Sequence, residues 1–174
     1  EAEDFATARH ALLTHLQKRS RKHLARIEHI IDGADSTIVI AKADSTLRRS
    51  FTFWGVSRDL PQRIDWRRNP TKDKVWLFNL NQQKWMTEVA AAYAMTRDEK
   101  YARDFAVILE SWFQQNELPR WKDERDPVWR LMETSIRGVN WLDAFFVFLA
   151  SESLSDELKV RLLAALHDHA QFLF

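Results

Sequence analysis

Tyr101, Phe105, Ile108, Leu109 and Trp112 recur at i, i+4, i+7, i+8 and i+11. An α-helix turns by about 100° per residue, so all five side chains fall on one face. This spacing commits the segment to an amphipathic helix that must bury its apolar side against other elements. Glycine is scarce, with only Gly33, Gly55 and Gly138 in 174 residues. Three isolated glycines build neither a dinucleotide fingerprint nor a phosphate loop, which argues against a nucleotide-binding α/β enzyme.

The helical pattern repeats along the chain. Phe5 to Ile31 reads as helix broken near Ser20, with Leu12, Leu13, Leu16, Leu24, Ile27 and Ile31 as its stripe and "DGADS" as its stop. From Ser36 to Pro70 the period is lost. There "TIVIA" suits a short strand, and the rest reads as a long ordered loop anchored by Trp54 and Trp66. Loops of that length inside a compact domain are commonly functional. A single helix is expected from Lys74 to Met95, with Trp85, Val89 and Ala92 on one face. Thr96-x-x-Glu99 reads as a capping box. After the loop "NELPRWKDERDP", a helix is expected from Pro127 to Leu149. Ser155 caps the last one, with Asp156 and Glu157 in its first turn and Leu158, Leu162, Leu163, Leu166 and Phe172 on its buried side. No repeat of 30 to 45 residues with a fixed signature is present. The fold class is therefore all-α. It comprises a first helical region over 1–32, an irregular segment near 33–73 and antiparallel helices over 74–174.

Within "VWRLMETSIRGVNW", Leu131, Met132, Ile136, Val139 and Leu142 share one side of the expected helix. Arg130, Glu133, Arg137, Asn140 and Trp141 share the other. Two readings fit this polar stripe. It is a solvated face, with Glu133 and Arg137 as an ordinary i,i+4 ion pair. Or it is the wall of a cleft, where flat aromatic faces take sugars and guanidinium forks take carboxylate or sulfate.

Composition narrows the chemistry. The absence of cysteine excludes a disulfide scaffold, a Cys-type zinc site and a thiol nucleophile, and leaves the compartment open. No apolar run approaches the roughly 20 residues that span a bilayer, so no membrane partner is expected. The chain starts at Glu1 without an initiator Met or a signal peptide and reads as a processed or trimmed product. Net charge is only +1, so nucleic acid is not an expected partner. The charge is uneven, however. Between Leu47 and Lys74 eight basic residues stand against three acidic ones. That segment is a solvated loop or a surface for an anionic polymer. The six histidines, His10, His15, His23, His29, His167 and His169, lack ligand spacing, so no metal and no cofactor is expected. No GxSxG elbow marks a serine nucleophile. Tyr93 and Tyr101 sit among apolar neighbours and read as packed. Glu133 is one candidate carboxylate for glycoside hydrolysis, without an identifiable partner.

Four stretches occur in fixed order: "VWLFNLNQQKW" (75–85), "AYAMTRDEKYARDF" (92–105), "ESWFQQNELP" (110–119) and "VWRLMETSIRGVNW" (128–141). Together they resemble the N-terminal helical domain of the heparinase II/III-like polysaccharide lyases, most closely the heparinase III (heparan-sulfate lyase) branch. "ARHALLTHLQKRSR" (8–21) is similar to that family's first helix, and "IDWRRNP" (64–70) to its Trp-containing lead-in loop. The resemblance implies an incomplete (α/α) toroid followed by β-sandwich domains. It also implies β-elimination on a uronic-acid polysaccharide. That reaction needs the uronate carboxylate neutralised, a base for the C5 proton and an acid for the leaving O4. In the family an Asn, a Tyr and a His take these roles. All are expected downstream of Phe174, so no catalytic residue is expected within this chain.

What the resemblance leaves here is one wall of the substrate cleft, or, as the alternative, a set of residues that brace helices within the toroid. Asn81, Gln82, Trp129, Arg130, Glu133 and Arg137 are the wall's expected substrate-binding residues, with Arg130 and Arg137 meeting carboxylate or sulfate and Glu133 orienting them. Gln82 stands where the family often has a basic residue, and Trp85 reads as packed. The expected partners are an anionic polysaccharide and the remaining toroid and β-sandwich domains. The expected location is the bacterial periplasm or exterior. An alginate lyase of the same fold, a glycoside hydrolase on a helical barrel and a non-catalytic carbohydrate-binding domain are the alternatives.

Overall fold

The computed structural model describes residues 2–20 and 24–174. Among the described residues, eight helices and one hairpin follow in chain order: α1 (Ala2–Arg19), α2 (Ala25–Asp32), α3 (Ser36–Leu47), β1 (Ser50–Phe53), β2 (Val56–Asp59), α4 (Lys74–Gln82), α5 (Trp85–Thr96), α6 (Lys100–Gln115), α7 (Leu131–Phe148) and α8 (Asp156–Leu173). The helix expected over 5–31 is thus two, and its junction at 21–23, with His23, lies outside the described residues.

Helix α5 is the centre. It packs against α3, α6, α7 and α2. Ala90, Ala91 and Ala92 are all fully buried, so neighbouring backbones approach it on several sides. The five apolar residues of α6 are buried as their spacing requires. Phe105 stacks on Phe148 of α7 at 4.5 Å, and Tyr93 of α5 meets the same ring at 5.1 Å. Each such ring, fully buried, stabilises the fold by roughly 1.5–3 kcal/mol. Both tyrosines are packed, and each hydroxyl donates to a carboxylate, Tyr93 to Glu99 and Tyr101 to Asp44, over 3.0 Å.

The irregular segment is shorter than the sequence pattern implies. "TIVIA" is helical, not a strand. The Asp35 side chain accepts from Thr37 N at 2.8 Å and starts α3, whose Val39, Ala43 and Thr46 are buried at helical spacing. Packing against α5 outweighs the β-propensity of four branched residues. Next comes a hairpin with Ser50 opposite Asp59 and Phe53 opposite Val56. Its two-residue turn, Trp54-Gly55, has φ of 52° and 77°. Positive φ at both central positions is the turn geometry that matches strand twist. Trp66 anchors the loop, fully buried, whereas Trp54 stands 82% exposed at the hairpin tip and anchors nothing.

Two further expectations are corrected. The helix over 74–95 is interrupted at Gln83, which adopts a left-handed conformation (φ 51°, ψ 34°) between α4 and α5. The Thr96/Glu99 capping box does not form. Thr96 Oγ1 donates to Ala92 O at 2.7 Å, and Glu99 is drawn away to Tyr93 and to Ser151 and Ser153 in the turn before α8. The Ser155 cap is present, with its Oγ accepting from Leu158 N at 3.2 Å.

Candidate functional site

The break at Gln83 frees the last carbonyls of α4, which then need donors from elsewhere. Side chains supply them. Trp85 Nε1 donates to Leu80 O at 3.3 Å, Arg137 Nη1 to Asn81 O at 3.1 Å and Asn140 Nδ2 to Gln82 O at 2.9 Å. Trp141 Nε1 donates to Gln83 Oε1 at 2.7 Å. Three of these four donors come from the polar stripe of α7. All of the stripe but Arg130 therefore points inward, which corrects the reading of a solvated face. Glu133, Arg137, Asn140 and Trp141 are buried, while Leu131, Met132, Val139 and Leu142 on the apolar side are exposed, Met132 by 60%. An unpaired buried polar group costs about 1–3 kcal/mol, and the orientation of α7 avoids that cost three times.

Arg137 is the hub. Its Nη1 also donates to Val128 O at 2.8 Å, and its Nε donates to His169 Nε2 of α8 at 2.9 Å. The guanidinium lies 4.7 Å from the Trp112 ring, 5.4 Å from Trp129 and 5.7 Å from Trp141. Its positive charge also suits the C-terminal, negative end of the α4 dipole. His169 Nδ1 sits 2.7 Å from Ala165 O, which fixes the proton on Nδ1 and leaves Nε2 as the acceptor for Arg137. Burial pushes His169 down to about 3, and the Arg137 charge adds to the shift. Burial likewise pulls Arg137 down to about 9, against the opposing fields of Glu133 and Asp126. At neutral pH the pair is a guanidinium and a neutral imidazole.

A second layer lies toward the surface. Glu133 Oε1 accepts from Gln82 Nε2 at 3.3 Å, and Glu133 Oε2 lies 3.2 Å from Arg130 Nη1. Arg130, whose side chain is 24% exposed, spreads over the Phe78 ring at 4.1 Å and approaches Glu124 at 3.8 Å.

The structure thus brings together all six residues expected to bind substrate, but at different depths. Asn81 and Arg137 are sealed in, and Asn81 Nδ2 donates to Trp66 O at 2.9 Å. Trp129 is buried, tilted against His169 at 5.0 Å and Phe172 at 5.2 Å. Gln82 and Glu133 are buried one layer further out. Of the six, only Arg130 presents substantial polar surface. Phe78, Gln83 and His169 also belong to the constellation, although the sequence pattern does not single them out for it. Phe78 alone carries a signal, one helical turn before Gln82. Among the described residues no group of three or more His, Asp or Glu is placed to hold a metal ion.

Residues 1–174 match the family model described as Heparinase II/III N-terminus. The chain belongs to the heparinase II/III family. It is 30% identical over 115 residues to the heparin-sulfate lyase of Pedobacter heparinus, covering 66% of this chain and 18% of that protein. It is 29% identical over 148 residues to the heparin-sulfate lyase of Bacteroides stercoris, covering 74% of this chain and 22% of that protein. The chain thus spans about a fifth of the length of these curated relatives. Among solved structures, heparan sulfate lyase HepC from Pedobacter heparinus superposes with a TM-score of 0.85 at 26% identity, over 98% of this chain and 28% of that one. A heparinase III gene product superposes with a TM-score of 0.72 at 21% identity, over 94% of this chain and 31% of that one, and shares the fold. The architecture is the N-terminal portion of an incomplete (α/α) toroid.

Proposed function

We propose that this chain is the N-terminal part of a polysaccharide lyase that cleaves heparan sulfate by β-elimination. The observation that carries this reading is the superposition over 98% of the chain on a heparan sulfate lyase, with the family model matching the same residues. In this reading the proton-transferring groups lie in other parts of the protein. The chain supplies a rigid wall. Arg137 and His169 lock α4, α7 and α8 together, and Arg130, steadied by Glu133 and Phe78, offers its outer N–H groups to a uronate carboxylate or a sulfate. The remaining toroid and β-sandwich domains are the covalent partners of this wall, and the periplasm or exterior of a bacterium is the place where a polymeric substrate meets it. The test offers the full-length protein heparan sulfate, heparin, hyaluronan, chondroitin sulfate and alginate, and follows the ultraviolet absorbance of unsaturated uronate. The reading predicts release from heparan sulfate. Release from alginate alone retains the reaction and replaces the substrate. No release from any of the five ends the lyase reading.

A further inference from the structure

The loop of residues 116–130, between α6 and α7, carries an indole that its own structure does not use. Trp121 is 75% exposed, in a chain where Trp66, Trp76, Trp85, Trp112, Trp129 and Trp141 are all buried. It borders a cavity of about 250 Å³ with Pro119, Arg120, Lys122 and, from the end of α8, Gln171 and Phe172. Among the described residues neither Arg120 nor Lys122 is paired with a carboxylate, and Glu117 at the start of the loop forms no ion pair with either. Asp123 is held by Arg125 through two contacts of 3.0 and 3.1 Å. Asp126 is paired with Arg67 at 3.0 Å, and Glu124 faces Arg130 at 3.8 Å. Each of these three carboxylates therefore already has a cation. Arg120 forms no ion pair among the described residues. Lys122 spends one donor on Leu173 O at 3.5 Å, 5.8 Å from the Phe172 ring. An ammonium has three donors, so two remain.

An exposed indole, two cations without an ion-pair partner and an amide that border one pocket are complementary to a pyranose that carries anionic substituents. The apolar face of the sugar covers the ring, the cations take sulfate or carboxylate, and the Gln171 amide meets a hydroxyl. We propose that Trp121, Arg120, Lys122 and Gln171 form a saccharide subsite for a sulfated hexose unit, at one end of the wall described above. This deepens the lyase reading and rests on it for the identity of the polymer. In this reading the subsite grips one unit of the polymer away from the bond being broken and acts on affinity.

The experiment uses the full-length protein, with Trp121→Ala, Trp121→Phe and the pair Arg120→Ala/Lys122→Ala, and Trp54→Asn as a control at a distant exposed indole. Initial rates on heparan sulfate give KM and kcat, and thermal unfolding is recorded for each variant. Trp121→Ala is expected to raise KM about tenfold with kcat within a factor of two and the unfolding midpoint unchanged, the size of effect that loss of one aromatic anchor produces. Trp121→Phe is expected to recover much of this loss. The charge pair is expected to raise KM at low salt and to converge on the unmodified protein at high salt. An unchanged KM for Trp121→Ala overturns the subsite. So does a lowered unfolding midpoint with unchanged KM, which makes Trp121 a packing residue against another domain. If the unmodified protein is silent on every polymer, the lyase reading falls by itself. The subsite is then judged by calorimetric titration with a heparin oligosaccharide, and equal affinity of the unmodified protein and Trp121→Ala overturns it.

Discussion

Arg137 Nε donates to His169 Nε2 over 2.9 Å, joining α7 to α8 beneath three tryptophan rings. The contact makes a cation that looks available for substrate into a strut. The same guanidinium closes Asn81 O at the end of α4 and Val128 O at the entry to α7, so one side chain fixes three helices.

Removing that strut strands groups on every side. Arg137→Ala leaves two carbonyls and an imidazole nitrogen unpaired and is expected to cost about 3–5 kcal/mol of stability, the range for breaking a buried charged network. Arg137→Lys keeps the charge but loses the fork and is expected to recover less than half. Denaturant titration of the three proteins measures this. An Arg137→Ala loss below about 1 kcal/mol, within the range of an exposed pair, contradicts the strut.

His169 gives the fold a pH dependence whose sign is fixed by its shift. The folded value of about 3 lies below the ordinary 6.5, so the unfolded chain binds the proton first as pH falls. Its contribution is complete above pH 6.5 and is lost between there and about 3. The slope reaches at most about 1.4 kcal/mol per pH unit. His169→Gln keeps an acceptor for Arg137 without a titrating group. Stability measured against pH is expected to fall more steeply for the native chain than for this variant across that window. Parallel profiles refute the assignment.

Gln83 sets two effects against each other. A glycine in its place relieves about 1 kcal/mol of left-handed strain. The same change removes the acceptor for Trp141 Nε1, leaving a buried donor unpaired at about 1–3 kcal/mol, together with lost packing. Gln83→Gly is therefore expected to destabilise, by about 1–2 kcal/mol, despite the favourable backbone change. Equal or higher stability in thermal unfolding means that the strain dominates.

Arg130 combines a structural and a binding role that a second substitution separates. Arg130→Ala uncovers buried Glu133 and is expected to cost about 1–3 kcal/mol. Adding Glu133→Gln is expected to restore most of that stability, since no charge is left unpaired. Affinity of the full-length protein for heparan sulfate, and its salt dependence, is expected to stay low in both variants. Recovery of affinity together with stability makes Arg130 purely a brace.

Trp54 is the reverse case, a residue that the fold tolerates rather than needs. Its φ of 52° suits asparagine far better than a bulky ring. Trp54→Asn is expected to raise stability by about 0.5–1 kcal/mol, with turnover of the full-length protein unchanged. A loss in either measurement assigns the indole a contact in the complete protein.

These residues also mark how far the sequence can be read. The α6 face is legible because its five apolar residues obey one period and nothing competes with them. Ser155 is legible because a cap is a local interaction. The α7 stripe is legible as a stripe but not in its direction. Pattern assigns polar residues to water, whereas here the donors are recruited by carbonyls that the break at Gln83 sets free. That break has no local mark, since its left-handed residue is a glutamine rather than a glycine or asparagine. The hairpin is hidden for the same reason, with Trp54 in the position where asparagine announces such a turn. His169 is unreadable as a partner of Arg137 because 32 residues and a reversal of chain direction separate them. The candidate site is thus legible as a cluster but not in its depth. Its one solvent-facing cation, Arg130, cannot be told by pattern from the buried Arg137 two helical turns away.

The most direct test of the account concerns how the polymer is cut. The full-length protein is incubated with heparan sulfate in heavy-oxygen water, and the product ends are examined by mass spectrometry. β-Elimination predicts unsaturated uronate at each new non-reducing end and no heavy oxygen in the products of cleavage. Saturated ends with one heavy oxygen incorporated per cut mean hydrolysis, and contradict the account.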